Sequence, residues 1–148
     1  MISRGTSIAA IVCLLLSSGV AADSHSVVLV TNDRCPVSGL SSLEIRKSYL
    51  GVNVRVDEQP IRPLRLVGDP ELDQVFFQTV VAMSEKSYER RALSLALKSG
   101  TPRPAEHESV EQALAALQRT PCGVLFLWED DVEDSSNVKR LRVLWRGN

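Results

Sequence analysis

The sequence predicts an α/β sandwich with at least one parallel pair of strands, and three observations carry that expectation. Residues 26–31 and 122–128 are continuous apolar runs of strand length, too dense for half-exposed edges. Helix-start signals at Ser41 or Ser42, Asp69, Ser84 and Glu108-Ser109 fall between those runs. No repeat or internal linker divides the chain, so strands separated by helices belong to one layered domain.

The elements follow in order. Residues 26–31 are a buried first strand, ended by the loop Asn32-Asp33-Arg34-Cys35-Pro36. Ser41 or Ser42 caps a helix with Glu44 near its first turn, Leu43, Tyr49 and Leu50 available for packing, and Gly51 at its close. In Pro60-Ile61-Arg62-Pro63-Leu64-Arg65-Leu66-Val67 the alternation of apolar and basic residues after Pro63 suggests a strand with one wet face. Asp69 is a good N-cap, Pro70 suits the first helical position, and Glu71 and Asp73 complement the helix dipole. Phe76, Phe77, Val80 and Val81 carry that helix into the core. A further helix runs from Ser84 to about Lys98 with Tyr88, Ala92, Leu95 and Ala96 at helical spacing, and ends at Gly100 and Pro102. Glu108-Ser109 opens the next, whose apolar face is Val110, Ala113, Leu114 and Leu117, and Thr120-Pro121 ends it. Residues 122–128 and 138–145 are the last strands, with the acidic run 129–134 between them as a solvated turn.

Residues 1–22 have the grammar of a secretory leader. Arg4 gives a basic start, residues 8–16 an apolar stretch too short to span a bilayer comfortably, and Val20-Ala21-Ala22 the small residues of a cleavage site after Ala22. The alternative is an N-terminal anchor that stays attached. A lipoprotein fits less well, because Cys13 lies inside the apolar run. Removing 22 of 148 residues leaves 126, enough for one domain over residues 23–148. The 17 Lys and Arg lose only Arg4 against 18 Asp and Glu, so the mature net charge is −2. That balance offers no electrostatic footprint for nucleic acid.

Cleavage also removes Cys13 and leaves Cys35 and Cys122. In an oxidising compartment the two can pair, the alternative being two buried thiols. A metal site is poorly supported, since His25 lies near the new N-terminus and His107 has no ligand-spaced neighbour. The sequence contains no nucleophile elbow, no HExxH and no P-loop, so the expectation is a protein that is not an enzyme and needs no cofactor. Arg90, Arg91, Lys98 and Arg103 read as a solvated face rather than a docking patch, and Trp128 and Trp145 as core or sheet-edge residues rather than a stacking platform.

Several segments, in this order, resemble the periplasmic phosphate-binding proteins of ABC transporters. Leu40-Ser41-Ser42-Leu43-Glu44-Ile45-Arg46-Lys47-Ser48-Tyr49-Leu50-Gly51 is similar to that family's first helix, and Pro60-Ile61-Arg62-Pro63-Leu64 to its proline-isoleucine strand entry. Ser109-Val110 through Thr120-Pro121-Cys122-Gly123-Val124-Leu125-Phe126 resembles the helix leading into its threonine-proline-glycine strand. Ser99-Gly100-Thr101-Pro102-Arg103-Pro104 resembles the glycine-proline loop of a short, single-domain branch. The resemblance implies one lobe of a type 2 periplasmic binding protein-like fold, a mixed sheet flanked by helices. It further implies a periplasmic location, phosphate or another small oxyanion as ligand, and an inner-membrane transporter or sensor as partner. After leader cleavage the protein would not be an integral membrane protein.

Two departures qualify that implication. Phosphate-binding members place a serine-glycine-threonine turn where this chain has Asp69-Pro70-Glu71-Leu72-Asp73, and three carboxylates with a proline lacking an N–H would repel an anion there. Cys122 precedes Gly123 where the family has glycine and then a small residue, suggesting repacking towards Cys35. One anion option remains: Ser38, Gly39, Ser41 and Ser42 at a helix start, with Arg34 nearby. The readings left open are an oxyanion-binding lobe linked to transport or sensing, a non-binding accessory protein of an envelope complex, and a small secreted enzyme with an unrecognised site.

Overall fold

A computed structural model describes residues 25–147; the leader expected over residues 1–22, with Cys13, lies outside them. Five strands form one mixed sheet in the order β5-β4-β6-β1-β7, flanked by helices. They are β1 (Ser26–Asn32), β4 (Arg62–Leu66), β5 (Ala105–His107), β6 (Gly123–Trp128) and β7 (Val138–Arg146). A two-stranded hairpin, β2 (Arg55–Val56) with β3 (Gln59–Pro60), stands apart from it. β4 pairs parallel with both β5 and β6, whereas β1 pairs antiparallel with β6 and β7, so β1 alone runs against the others.

The strands expected at both ends of the chain are present, and β1 is buried at all seven positions. The hairpin and β5 carry no sequence signal strong enough to have been expected. The hairpin turns through Asp57 and Glu58, both at positive φ, where Asn-Gly or Asp-Gly is the usual marker. β5 has three residues directly after Pro104.

Helix α1 (Ser42–Tyr49) starts with a full capping box. The Ser41 hydroxyl accepts from the Glu44 N–H, and the Glu44 carboxylate accepts from the Ser41 N–H. Leu43, expected to pack, is instead exposed, because the buried face of α1 runs through Ile45, Ser48 and Tyr49. Gly51 follows at φ 81°, and an added Cβ there would lie 2.9 Å from Leu95 Cδ1.

Helix α2 (Pro70–Val75) is capped by Asp69 and passes directly into a π-helical segment, Phe76–Val80. Helix α3 (Glu85–Ser99) begins at the Ser84 cap and ends with Gly100 in the left-handed conformation. Its stripe is thinner than expected: Tyr88 is buried, Ala92 and Leu95 are half-buried, and Ala96 is exposed. Helix α4 (Val110–Arg119), capped by Ser109, buries Ala113, Ala116 and Leu117. The acidic run after β6 forms a short 3-10 turn, Glu129–Asp131, with Val132 tucked beneath it.

The core is aromatic at its centre. Phe76 stacks on Phe126 at 5.4 Å and meets Tyr49 and Tyr88 edge-on at 5.6 and 5.1 Å. The Tyr49 hydroxyl donates to the Leu64 carbonyl at 2.7 Å, and burial pushes its pKa well above the usual value, so it stays a neutral donor.

Arg65 overturns the expectation of a wet face on β4. It is 5% exposed, with its guanidinium 4.2 Å from the Phe76 ring centroid and 5.1 Å from that of Phe77. Asp73 at 2.6 Å and Glu106 at 3.6 Å supply the charge that allows a cation to be buried there. We expect Arg65→Ala to cost about 2–4 kcal/mol, since it removes the stacking partner and leaves a void. Arg65→Met, which fills the same volume without the charge, should cost less. Urea melts of both variants check this; equal losses would show that the ion pairs, not the packing, carry the contribution.

Candidate functional site

Because β1 is reversed, its C-terminal end lies beside the N-terminal ends of β6 and β4. Two buried polar side chains fasten that junction with three hydrogen bonds. Thr31 Oγ1 donates to the Gly123 carbonyl at 2.7 Å, and Asn32 Nδ2 donates to the carbonyls of Leu117 and Thr120 at 3.1 and 3.0 Å. Asn32 thereby satisfies the C-terminal end of α4, whose last carbonyls have no partner within the helix. Gly123 is required at this crossing, where an added Cβ would stand 2.8 Å from Leu64 Cδ1 and 3.0 Å from Thr120 Cβ.

Cys35 and Cys122 are bridged across the same junction, with Cα atoms 4.9 Å apart. Cys122 sits at φ 45°, a left-handed conformation that aims the strand entry back towards the loop after β1. Closing 87 residues of chain contributes about 4–5 kcal/mol in the chain-entropy treatment. Lys139 Nζ donates to the Cys35 carbonyl at 2.6 Å and secures the loop from the β7 side.

Over the bridge lies an open cleft of about 520 Å³, lined by Asn32, Arg34, Gln59, Gln118 and Arg119 together with the two cysteines and prolines 36 and 121. Two arginines and no acidic residue line it. Of the residues expected at an anion site, Arg34 lines this cleft, its guanidinium donating to the Gln118 carbonyl. Ser38, Gly39, Ser41 and Ser42 are exposed on the approach to α1 and do not line it. Ser41 is occupied by its capping box, and hydrogen bonds from the Ser41 backbone and hydroxyl hold the Glu44 pKa below its usual value. The structure thus brings Arg34 to Arg119, Gln118 and Gln59 rather than to the serines. Arg119 and Gln59 were missed because they enter from α4 and the hairpin, far away in sequence.

The α2 N-terminus is closed, as its sequence indicated. Asp69 Oδ1 accepts from the N–H groups of Glu71 and Leu72 at 3.0 and 3.1 Å, and Oδ2 accepts from the Trp128 indole at 2.7 Å. Burial opposes ionisation of Asp69, but the Trp128 hydrogen bond and the two backbone N–H groups outweigh it and hold the pKa below 3.8. The basic residues Arg90, Arg91, Lys98 and Arg103 are all exposed; Arg91 reaches the Leu50 carbonyl and Arg103 pairs with Glu89. Among the described residues no group of His, Cys, Asp and Glu could hold a metal, and no helix is long and apolar enough to cross a membrane.

No protein-family model matches the chain, and no curated protein does. Solved structures do match in fold. An ABC-type phosphate transport receptor from Vibrio cholerae is 15% identical with a TM-score of 0.55, over 80% of this chain and 46% of that one. A putative phosphate ABC transporter substrate-binding protein with bound phosphate, from Clostridium perfringens, is 14% identical with a TM-score of 0.60, over 80% and 45%. PstS from Borrelia burgdorferi is 8% identical with a TM-score of 0.55, over 80% and 47%. This chain therefore spans just under half the length of the proteins it matches, and what it shares with them is the fold of a single binding-protein lobe.

Asp69 supplies a pH test of these contacts. A carboxylate whose folded pKa is depressed stabilises above its unfolded pKa, and that contribution is lost as pH falls through the lower folded value. Asp69→Ala should cost about 1–3 kcal/mol at pH 7, through the lost cap and the stranded indole N–H. It should also flatten the fall in stability below pH ~4. An acid limb unchanged by the substitution in equilibrium melts would show that the Asp69 contacts do not persist in solution.

Proposed function

We propose that this chain is an exported, single-lobe binding domain that holds a small oxyanion, phosphate or a close relative, in the open cleft beside the Cys35–Cys122 bridge. The observation that carries it is that Arg34 and Arg119 both line a cleft with no acidic residue in its lining. Guanidinium forks suit the oxygens of such an anion, and the Gln59 amide and the second amide hydrogen of Gln118 suit the remaining ones. Ser38, Gly39, Ser41 and Ser42 form the second flank of this reading, reached if the loop before α1 closes over the ligand. One lobe leaves such an anion largely hydrated, so binding is weak unless another chain supplies the facing surface. That chain is an inner-membrane transporter or sensor, and the setting is the periplasm.

One observation favours a second reading, an accessory lobe that binds no anion. α2 gives the N–H groups of Glu71 and Leu72 to the Asp69 carboxylate, and at α1 the Glu44 N–H goes to the Ser41 hydroxyl while the Glu44 carboxylate covers the Ser41 N–H. Helix N-termini otherwise offer the readiest anion seat.

Two measurements test these proposals. Export predicts a mature protein beginning at Asp23, whose intact mass lies two hydrogens below that of its reduced form; a chain retaining residues 1–22 would refute cleavage after Ala22. In thermal melts of that mature protein, phosphate, sulfate and arsenate at millimolar concentration should raise the melting temperature. Arg34→Ala and Arg119→Ala should each abolish the rise. No shift with any oxyanion would sink the binding reading and leave the accessory one, and a shift that survives both substitutions would move the site elsewhere.

A further inference from the structure

A second cleft, of about 280 Å³, opens at the C-terminal end of β6, away from the bridge. Its walls are the indoles of Trp128 and Trp145, and Glu71, Gln74, Gln78 and Thr79 present polar groups along one side. The two rings stand nearly perpendicular, at 72° with centroids 6.0 Å apart. Trp128 is 8% exposed and held rigidly, with its N–H on Asp69 and its ring stacked by His25 at 3.7 Å. Trp145, half-buried on the edge strand β7, makes no hydrogen bond through its indole among the described residues.

The backbone is shaped at this point as well. Gln78 and Thr79 belong to the π-helical segment Phe76–Val80, and Ala82 just beyond it sits at φ 52°. π-Helical turns are rare and frequently fall at functional sites, and a non-glycine residue at positive φ is uncommon.

We propose that this cleft binds a neutral pyranose, a sugar ring carried free or at the end of a glycan. The C–H face of a pyranose is apolar and lies on an indole, while its hydroxyl rim needs donors and acceptors in one plane. Gln74 and Gln78 supply both kinds, Thr79 a hydroxyl, and Glu71 a carboxylate acceptor. Anions are disfavoured by Glu71 and by Asp69 behind Trp128. A quaternary ammonium would use the indoles and Glu71 but leave the amides and the hydroxyl with nothing to bond. The volume falls just below that of drug-sized sites (~300–1,000 Å³) and suits a single ring.

Trp128 and Trp145 are the only tryptophans in the chain, so its indole fluorescence and its indole N–H resonances report on this cleft alone. The mature protein is titrated with glucose, galactose and N-acetylglucosamine to about 100 mM, a hundredfold over a Kd of ~1 mM. At least one should give a saturable change in emission together with a shift of the Trp145 indole N–H signal. Gln78→Ala, an exposed position whose loss leaves the fold intact, should weaken binding about fivefold, the worth of one hydrogen bond. Trp145→Ala should abolish it with the circular dichroism unchanged. Tighter binding of an N-acetylglucosamine tetramer than of the monomer would assign the ring to a glycan chain, and equal binding to a free sugar; both uphold the site. No saturable change with any sugar, response to choline chloride alone, or sugar binding indifferent to both substitutions would overturn the proposal.

Discussion

A strand buried along its whole length must satisfy every polar group it carries, and β1 is such a strand, lying between β6 and β7 with no exposed position. Its apolar residues need no help. Its last two, Thr31 and Asn32, are polar, and a buried amide or hydroxyl without a partner costs about 1–3 kcal/mol. The carbonyls of Gly123, of Leu117 in the last turn of α4 and of its cap Thr120 answer that demand. Because those partners belong to β6 and α4, satisfying the end of β1 also fixes where the last helix docks and where the next strand begins. The disulfide then makes the same junction covalent. Gly123, the left-handed Cys122 and the cleft above them all follow from this one meeting of chain segments.

How much of this the sequence showed depends on the range of the interaction. Capping is local chemistry, and Ser41, Asp69, Ser84 and Ser109 all cap where their side chains and neighbours implied. β1 and β6 were legible because continuous apolar runs of that length have few other uses. Arg65 was misread for the opposite reason: alternation reports the face of a strand, not what will cover it. Its carboxylates come from α2 and β5 and its aromatic rings from the π-helical segment, all more than half a dozen residues away. Leu43 erred in the reverse direction, an apolar residue on the side of α1 that nothing covers.

The same division governs the candidate sites. The closed N-terminus of α2 could be read from Asp69, Pro70, Glu71 and Asp73 alone, since the cap lies within three residues of the groups it satisfies. The cleft beside the bridge could be read only through Arg34. Placing Arg119 and Gln59 there requires knowing that α4 and the β2–β3 hairpin converge on the end of β1. The two tryptophans sit on strands as their surroundings indicated. That they meet at a right angle depends on β1 separating β6 from β7, a matter of sheet order that no local pattern encodes.

The reversal of β1 has one further result. It places the arginine-lined cleft at the head of β6 and the tryptophan-lined cleft at its foot, roughly 17 Å apart at 3.3–3.4 Å per residue. The strand between them is fully buried, paired with β1 from Val124 to Trp128 and with β4 at Gly123 and Val124. The domain thus carries two clefts of unlike chemistry a fixed distance apart, one at each end of a single buried strand.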